Sequence, residues 1–238
     1  MILWITAALT SFFIKGLCGF ANTLVFDAIL SFGVNNISIS PVELVLGSPT
    51  NFILAWQGRK HLKPRLLLTL CALVLAGSIP GAFLLKNLNA QLIKVVFGVV
   101  VTLLGIEMLY QDVHPEAPKM PPVVLGAIGL LAGLSCGMFG VGAPLAAYVG
   151  QVTDSSASFK ANLAAVFCVE NIFRVISYVS LGIITTGTLL RSVTLVPFML
   201  LGLFAGIKCS EHLDDKLVKR VVIWLLILSG IILIVKNL

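Results

Sequence analysis

The sequence predicts an all-α protein, a polytopic helical bundle integral to a membrane, built of two repeats that each open with a Gly/Pro-broken helix or hairpin. Three observations carry this. Of the 238 residues 58% are hydrophobic and 11% charged, with a mean hydropathy of +1.07, whereas soluble domains carry about 25% charged residues. Water is therefore not the solvent for most of the surface. Eight apolar segments follow one another, near residues 2–32, 42–57, 66–86, 92–110, 122–150, 161–181, 188–208 and 217–235. Runs of about 20 apolar residues match a ~30 Å hydrocarbon core. Finally, the chain resembles itself when its halves are superposed.

The most polar stretch, Gln111 to Pro122, holds Asp112, His114, Glu116 and Lys119 with four prolines. It divides the chain into a first transmembrane repeat (1–110), a polar linker (111–121) and a second repeat (122–238). At an offset of 125, Gly77 and Gly81 fall on Gly202 and Gly206, and Leu88, Leu92, Lys94, Val96, Leu103, Gly105 and Ile106 meet identical residues. That gives nine identities in thirty ungapped positions, and hydrophobicity alone does not supply paired glycines and a paired lysine. At an offset of 121, Gly16 and Gly19 fall on Gly137 and Gly140, and Asn51 meets Asn171 at 120.

The opening segment of each half, 2–32 and 122–150, is too long for one simple crossing and is interrupted in the middle. The first break reads Lys15-Gly-Leu-Cys-Gly-Phe-Ala-Asn22, and the second ends Gly140-Val-Gly-Ala-Pro144. Glycine costs about 1 kcal/mol against alanine inside a helix, and proline about 3. Backbone groups freed in hydrocarbon need protein or water partners, and matching breaks in two halves point to a transporter's binding site. Lys15, Gly16, Gly19, Asn22, Gly140, Gly142 and Pro144 are candidate substrate-binding residues on that ground. The competing reading is close helix packing, as expected for Gly77-x-x-x-Gly81 and Gly202-x-x-x-Gly206.

Charge bears on topology. With eight plain crossings, the Lys and Arg of the connections split seven to seven between the two sides. If each opening segment is a hairpin that enters and leaves on one side, the split becomes ten to four. Only Lys86, Lys94, Arg191 and Lys236 then lie opposite. The second arrangement obeys the positive-inside rule and makes the halves inverted repeats.

Ionisable residues inside apolar segments are few, and such residues are usually functional. Lys15 precedes the first break and either serves an anion or snorkels to an interface. Glu170 and Arg174 stand four apart on one helix face, either as a structural salt bridge or with Arg174 binding an anion while Glu170 modulates it or carries a proton. Asn171 lies between them. Asp27 falls late in the first segment, near an interface. Ser40-Pro-Val-Glu43 reads as a capping box with Glu43 as the cap. In Gly47-Ser-Pro-Thr-Asn51 a proline frees a carbonyl, which Ser48, Thr50 and Asn51 can satisfy, or they can offer donors to a ligand. Thr50 and Asn51 join the candidates.

Neither a metal site nor a cofactor is expected. Cys18, Cys71, Cys136, Cys168 and Cys209 are scattered through apolar stretches without a C-x-x-C pair, and His61, His114 and His212 fall in connections. No basic stripe suggests nucleic acid. No basic segment precedes the apolar first 14 residues, so a cleaved signal peptide is not expected.

With these residues placed, the chain resembles the sulfite exporter TauE/SafE family over nearly its whole length. The likeness rests on the first glycine break, on Asn51-Phe-Ile-Leu-Ala-Trp-Gln-Gly-Arg-Lys60 and on Ile79-Pro-Gly81. In the second half it rests on Gly140-Val-Gly-Ala-Pro144 and on Lys160-Ala-Asn-Leu-Ala-Ala-Val-Phe leading to Asn171-Ile-Phe-Arg174. The resemblance implies transport, usually outward, of small sulfur-containing anions such as sulfite or organosulfonates. A multi-pass protein of the inner (plasma) membrane is expected, with the lipid bilayer and a small anion as partners. Proton or ion coupling and a homodimer are compatible with it. No G-x-x-x-x-G-K-[ST] sequence is present, so energy would come from an ion or potential gradient. The alternatives are a membrane subunit that transports nothing itself, or an intramembrane enzyme; the second lacks H-E-x-x-H and any histidine inside a segment.

Overall fold

The computed structural model describes residues 1–30, 39–87, 90–113, 121–139, 142–180, 182 and 184–237. Ten α-helices occur among them: α1 (Ile2–Cys18), α2 (Asn22–Leu30), α3 (Ile39–Gln57), α4 (Pro64–Asn87), α5 (Ala90–Val113), α6 (Pro122–Phe139), α7 (Ala143–Val152), α8 (Ser156–Ser180), α9 (Thr186–Glu211) and α10 (Asp215–Asn237). The described residues contain no strand. Both opening segments are broken where the glycines predict. By length and composition, Ser156–Ser180, Thr186–Glu211 and Lys216–Lys236 are long and apolar enough to cross a membrane.

The outer faces suit lipid. On α8, Ile172, Ile176 and Val179 are exposed, while Glu170, Asn171 and Arg174 on the opposite face are buried. Apolar-out, charge-in is the reverse of a soluble helix, and it is stable only where the surroundings are hydrocarbon.

The first break is a turn between two helices. Gly19 ends α1 in the left-handed region (φ +89°), its N–H donating to the Lys15 carbonyl at 2.6 Å. That conformation favours glycine. Helix α2 then folds back along α1, so that Phe26 meets the rings of both Trp4 and Phe12, with centroids 5.9 and 6.5 Å apart. The second break differs in its chemistry. Gly142 is the N-cap of α7 at an ordinary φ of −94°, with proline in the first turn, where its missing N–H costs nothing. At α9, Thr185 and Thr188 form a reciprocal capping box: the Thr188 N–H donates to Thr185 Oγ1 at 3.2 Å.

The chain forms two compact units that do not follow the halves of the sequence. One comprises Met1–Leu62 with Lys160–Asp214, the other Lys63–Phe159 with Asp215–Leu238. In the first, α1 packs along α9 around an apolar core that includes Phe12, Phe26, Leu46 and Leu203. In the second, α4 packs along α6, and α5 along α10.

Glycines set the closeness of all three helix pairs. A Cβ on Gly202 would stand 2.5 Å from the Leu9 carbonyl oxygen, and one on Gly16 would collide with that of Leu203. In the second unit a Cβ on Gly77 would collide with the Leu130 oxygen, and one on Gly137 would stand 2.5 Å from that of Ser78. Leu9 and Leu130 stand 121 positions apart, as do Gly16 and Gly137; Gly77 and Gly202, like Ser78 and Leu203, stand 125 apart. Between α5 and α10, Gly105 abuts Ile227 and Gly230 abuts Thr102, again at an offset of 125.

Candidate functional site

Helix α3 is the spine of a polar cluster inside the first unit. Ser40, Glu43, Gly47 and Thr50 recur at three- and four-residue spacing, which aligns them along one helix face. Their neighbours come from α1 and α2 on one side and from α8 on the other. Four ionisable side chains are buried here: Lys15 is 2% exposed, Glu43 3%, Glu170 1% and Arg174 4%. The two cations and two carboxylates cancel formally.

Lys15 lies in the last turn of α1, directly before the break. Its Nζ reaches the Gly47 carbonyl at 3.5 Å, a long bond, and stands 5.8 Å from the Phe12 ring centre. Asn22, the first residue of α2, donates Nδ2 to Glu43 Oε1 at 2.5 Å. Gly47 makes room for this contact, since a Cβ there would stand 3.0 Å from Glu43 Oε1. The second carboxylate oxygen of Glu43 has no hydrogen-bond partner.

On α8 the Glu170–Arg174 pair forms, but loosely. Arg174 Nε stands 3.8 Å from Glu170 Oε1, and neither Glu170 oxygen accepts a hydrogen bond. The guanidinium turns toward α3 instead: Nη2 donates to Ser40 Oγ at 3.3 Å and to the Tyr178 hydroxyl at 3.5 Å, and the Tyr178 ring lies 5.4 Å away. Ser40 and Tyr178 are themselves 3.2 Å apart. Glu43 acts electrostatically on Lys15, Glu170 and Arg174, which joins both sides into one field.

Of the other residues singled out by sequence, Asn51 and Asn171 are buried in the same unit, and Asn51 Oδ1 has no partner. Thr50 is turned into its own helix, its hydroxyl donating to the Gly47 carbonyl at 2.7 Å, and Ser48 does likewise to Leu44 at 2.7 Å. Gly16 serves the approach of α1 to α9, and a Cβ on Gly19 would stand 3.0 Å from Cγ of Lys160. Gly142 and Pro144 belong to the second unit, Gly142 half-buried and Pro144 buried. Gly140 lies outside the described residues, as do His114, Glu116 and Lys119 and the side chain of Asp27.

A model of the family described as sulfite exporter TauE/SafE matches residues 3–233. The chain belongs to this family. TauE/SafE proteins are membrane transporters of sulfite and related sulfur anions. No curated protein and no solved structure matches the chain.

In this TauE/SafE member, sequence reasoning missed Glu43, Ser40 and Tyr178. The capping-box reading requires Ser40 to precede its helix, yet α3 begins at Ile39 and Ser40 bonds Arg174 and Tyr178. Glu43 is consequently an interior residue of the helix rather than its cap. Two signals were in the sequence: Gly47 stands one turn beyond Glu43, and Tyr178 one turn beyond Arg174 on the face that carries Glu170.

Proposed function

We propose that this chain is a secondary transporter, working outward, for small sulfur-containing anions of the sulfite or organosulfonate class. On this reading it is a multi-pass protein of the inner (plasma) membrane. The observation that carries it is Arg174: a guanidinium 4% exposed, held by its acidic neighbour at only 3.8 Å and by no carboxylate hydrogen bond. Arginine binds oxyanions through two parallel N–H donors. A structural pair would be expected to fasten that fork onto Glu170. Lys15 adds a second buried positive charge, and the amino terminus of α2 adds the positive end of a helix dipole beside Asn22. Asn51 and Asn171 supply amides, and Gly19 the turn that brings Asn22 back to α3.

The two-repeat architecture belongs to the same proposal, with repeats at 1–110 and 122–238 around the linker 111–121. The glycine contacts that recur at offsets of 121 and 125 support it, because a shared ancestry of the halves would preserve just such close approaches. The Gly140–Pro144 run would then be the second unit's counterpart of the first break.

Flux into proteoliposomes tests the function. Purified protein alone is expected to move sulfite or a sulfonate such as sulfoacetate, with sulfate and chloride as comparisons. Failure to move any of these anions would return the chain to the role of a passive subunit. Topology has its own test. Single cysteines at positions 61 and 212, in place of His61 and His212, are expected to be shielded together from impermeant thiol reagents in intact cells. Labelling of one alone would restore eight plain crossings.

A further inference from the structure

The charges around Arg174 balance only while no anion is present. Lys15 and Arg174 are countered by Glu43 and Glu170, all four at most 4% exposed. An anion drawn to Arg174 leaves the cluster with an unmatched negative charge away from water, which is costly. Of the two acids, Glu43 is engaged by Asn22 through one oxygen. Glu170 accepts no hydrogen bond on either oxygen and has Arg174 as its ion-pair partner at 3.8 Å. An arriving oxyanion competes with Glu170 for that same guanidinium.

We infer that the anion crosses together with one proton, carried on the carboxylate of Glu170. This rests on the transporter proposal above, and outward movement is then driven by the anion's own concentration gradient. The proton enters with the anion from one aqueous phase, neutralises Glu170 and frees Arg174 for the anion. Both leave on the other side and the Glu170–Arg174 pair re-forms, so the cluster carries zero net charge both loaded and empty. For a monovalent sulfonate the step moves no net charge.

The charges that act on Glu170 come from Arg174 on its own helix and from Glu43 on α3. Arg174, Tyr178 and Cys168 share its helix, Glu43 faces it from α3, and Lys15 on α1 acts on Glu43. From α9, Arg191 is taken up over the Trp4 ring at 4.7 Å, and Lys208 and Glu211 lie at the opposite end of that helix. A metal cation in place of the proton would need a shell of oxygens. The Gly47 carbonyl, which is the one turned toward Lys15, already accepts from Lys15 and Thr50.

Isethionate is the probe of choice, because its sulfonate stays charged near neutral pH and brings no proton of its own. In proteoliposomes with a luminal pH dye, an inward isethionate gradient is expected to acidify the lumen at about one proton per anion. The initial rate should not change when a potassium diffusion potential is imposed. In Glu170→Gln the ratio of protons to anions is expected to fall at least tenfold.

Isethionate uptake without acidification, or uptake driven by sodium or by voltage, overturns the inference and leaves the transporter standing. Luminal alkalinisation, which signals exchange, overturns it as well. An unchanged ratio in Glu170→Gln removes that residue as the carrier. Absence of isethionate movement defeats the sulfonate transport proposal and the inference with it. The wild-type ratio and voltage response decide the matter even if the variant does not fold.

Discussion

The two compact units use the same glycine approaches and put different chemistry behind them. Gly16 against Leu203 in the first unit and Gly137 against Ser78 in the second are equivalent packing contacts. One residue before each stands Lys15 and Cys136, both buried. All four buried ionisable side chains named above lie in the first unit, whereas the described fully buried polar residues of the second are the serines Ser78, Ser135 and Ser158. The second unit does have ion pairs, but they lie nearer its surface: Lys63–Asp154 with side chains 45% and 82% exposed, and Arg220–Asp112 at 3.2 Å with side chains 62% and 13% exposed. A scaffold held by small residues and backbone contacts carries no information about charge. Either unit is free to acquire or lose ionic groups without disturbing the helix pairs. The unit that buries charge is the one expected to do the chemistry.

The largest expected effects test the sameness of the scaffolds. Gly16→Leu and Gly137→Leu each drive a side chain into a carbonyl oxygen of the facing helix, which cannot withdraw. Both are expected to destabilise by about 3 kcal/mol, seen as loss of the monodisperse peak in detergent. If one variant eluted normally and the other did not, the two interfaces would not be equivalent.

A smaller effect tests the difference between the units. Arg174→Lys keeps the charge but loses the fork, and is expected to weaken anion binding by about 1.5–3 kcal/mol, tenfold or more in affinity. Arg220→Lys, at the exposed pair, should change neither transport nor thermal stability measurably. The double variant Glu170→Gln with Arg174→Gln removes both charges together and is expected to fold and not to transport. An active double variant would remove Arg174 from the site and reduce the contrast between the units to decoration.

The smallest effect concerns the breaks. Gly19 holds a positive φ, so Gly19→Ala should cost about 1–2 kcal/mol. Gly142 caps α7 at a φ open to any residue, so Gly142→Ala should cost about 0.5 kcal/mol. Thermal unfolding in detergent separates the two. Equal losses would mean that the second break is under a constraint other than its backbone.

Much of the fold was legible because it rests on short-range rules. The eight apolar segments, the break at Gly19 and the start of α7 after Gly142 follow from hydropathy, backbone freedom and proline placement. So did the spacing of Glu170 and Arg174, since a helix fixes which residues share a face. The candidate site was legible in part. Lys15, Asn22, Arg174 and Glu170 were found as polar groups in apolar surroundings, while Glu43 was misplaced. A serine three residues before a glutamate looks like a cap until the start of the helix is known, and the helix starts two residues earlier than that reading requires.

By itself, then, the sequence determined the solvent, the helices, their two interruptions and the scarcity of internal charge, because each depends on residues close together in the chain. It also recorded the glycine offsets without saying what faced each glycine. Only the tertiary structure decided that α1 lies along α9 and α4 along α6, so that Gly16 faces the backbone of Leu203. It also decided that Glu43 meets Asn22, that Ser40 turns toward Arg174 and Tyr178 of α8, and that Glu170 reaches Arg174 without fastening it. The contacts of α1 with α9, α4 with α6 and α3 with α8 join segments from about fifty to nearly two hundred residues apart. Hydropathy is blind to them, since every apolar face can pack against many others, and backbone-to-backbone fit at a few glycines selects among them.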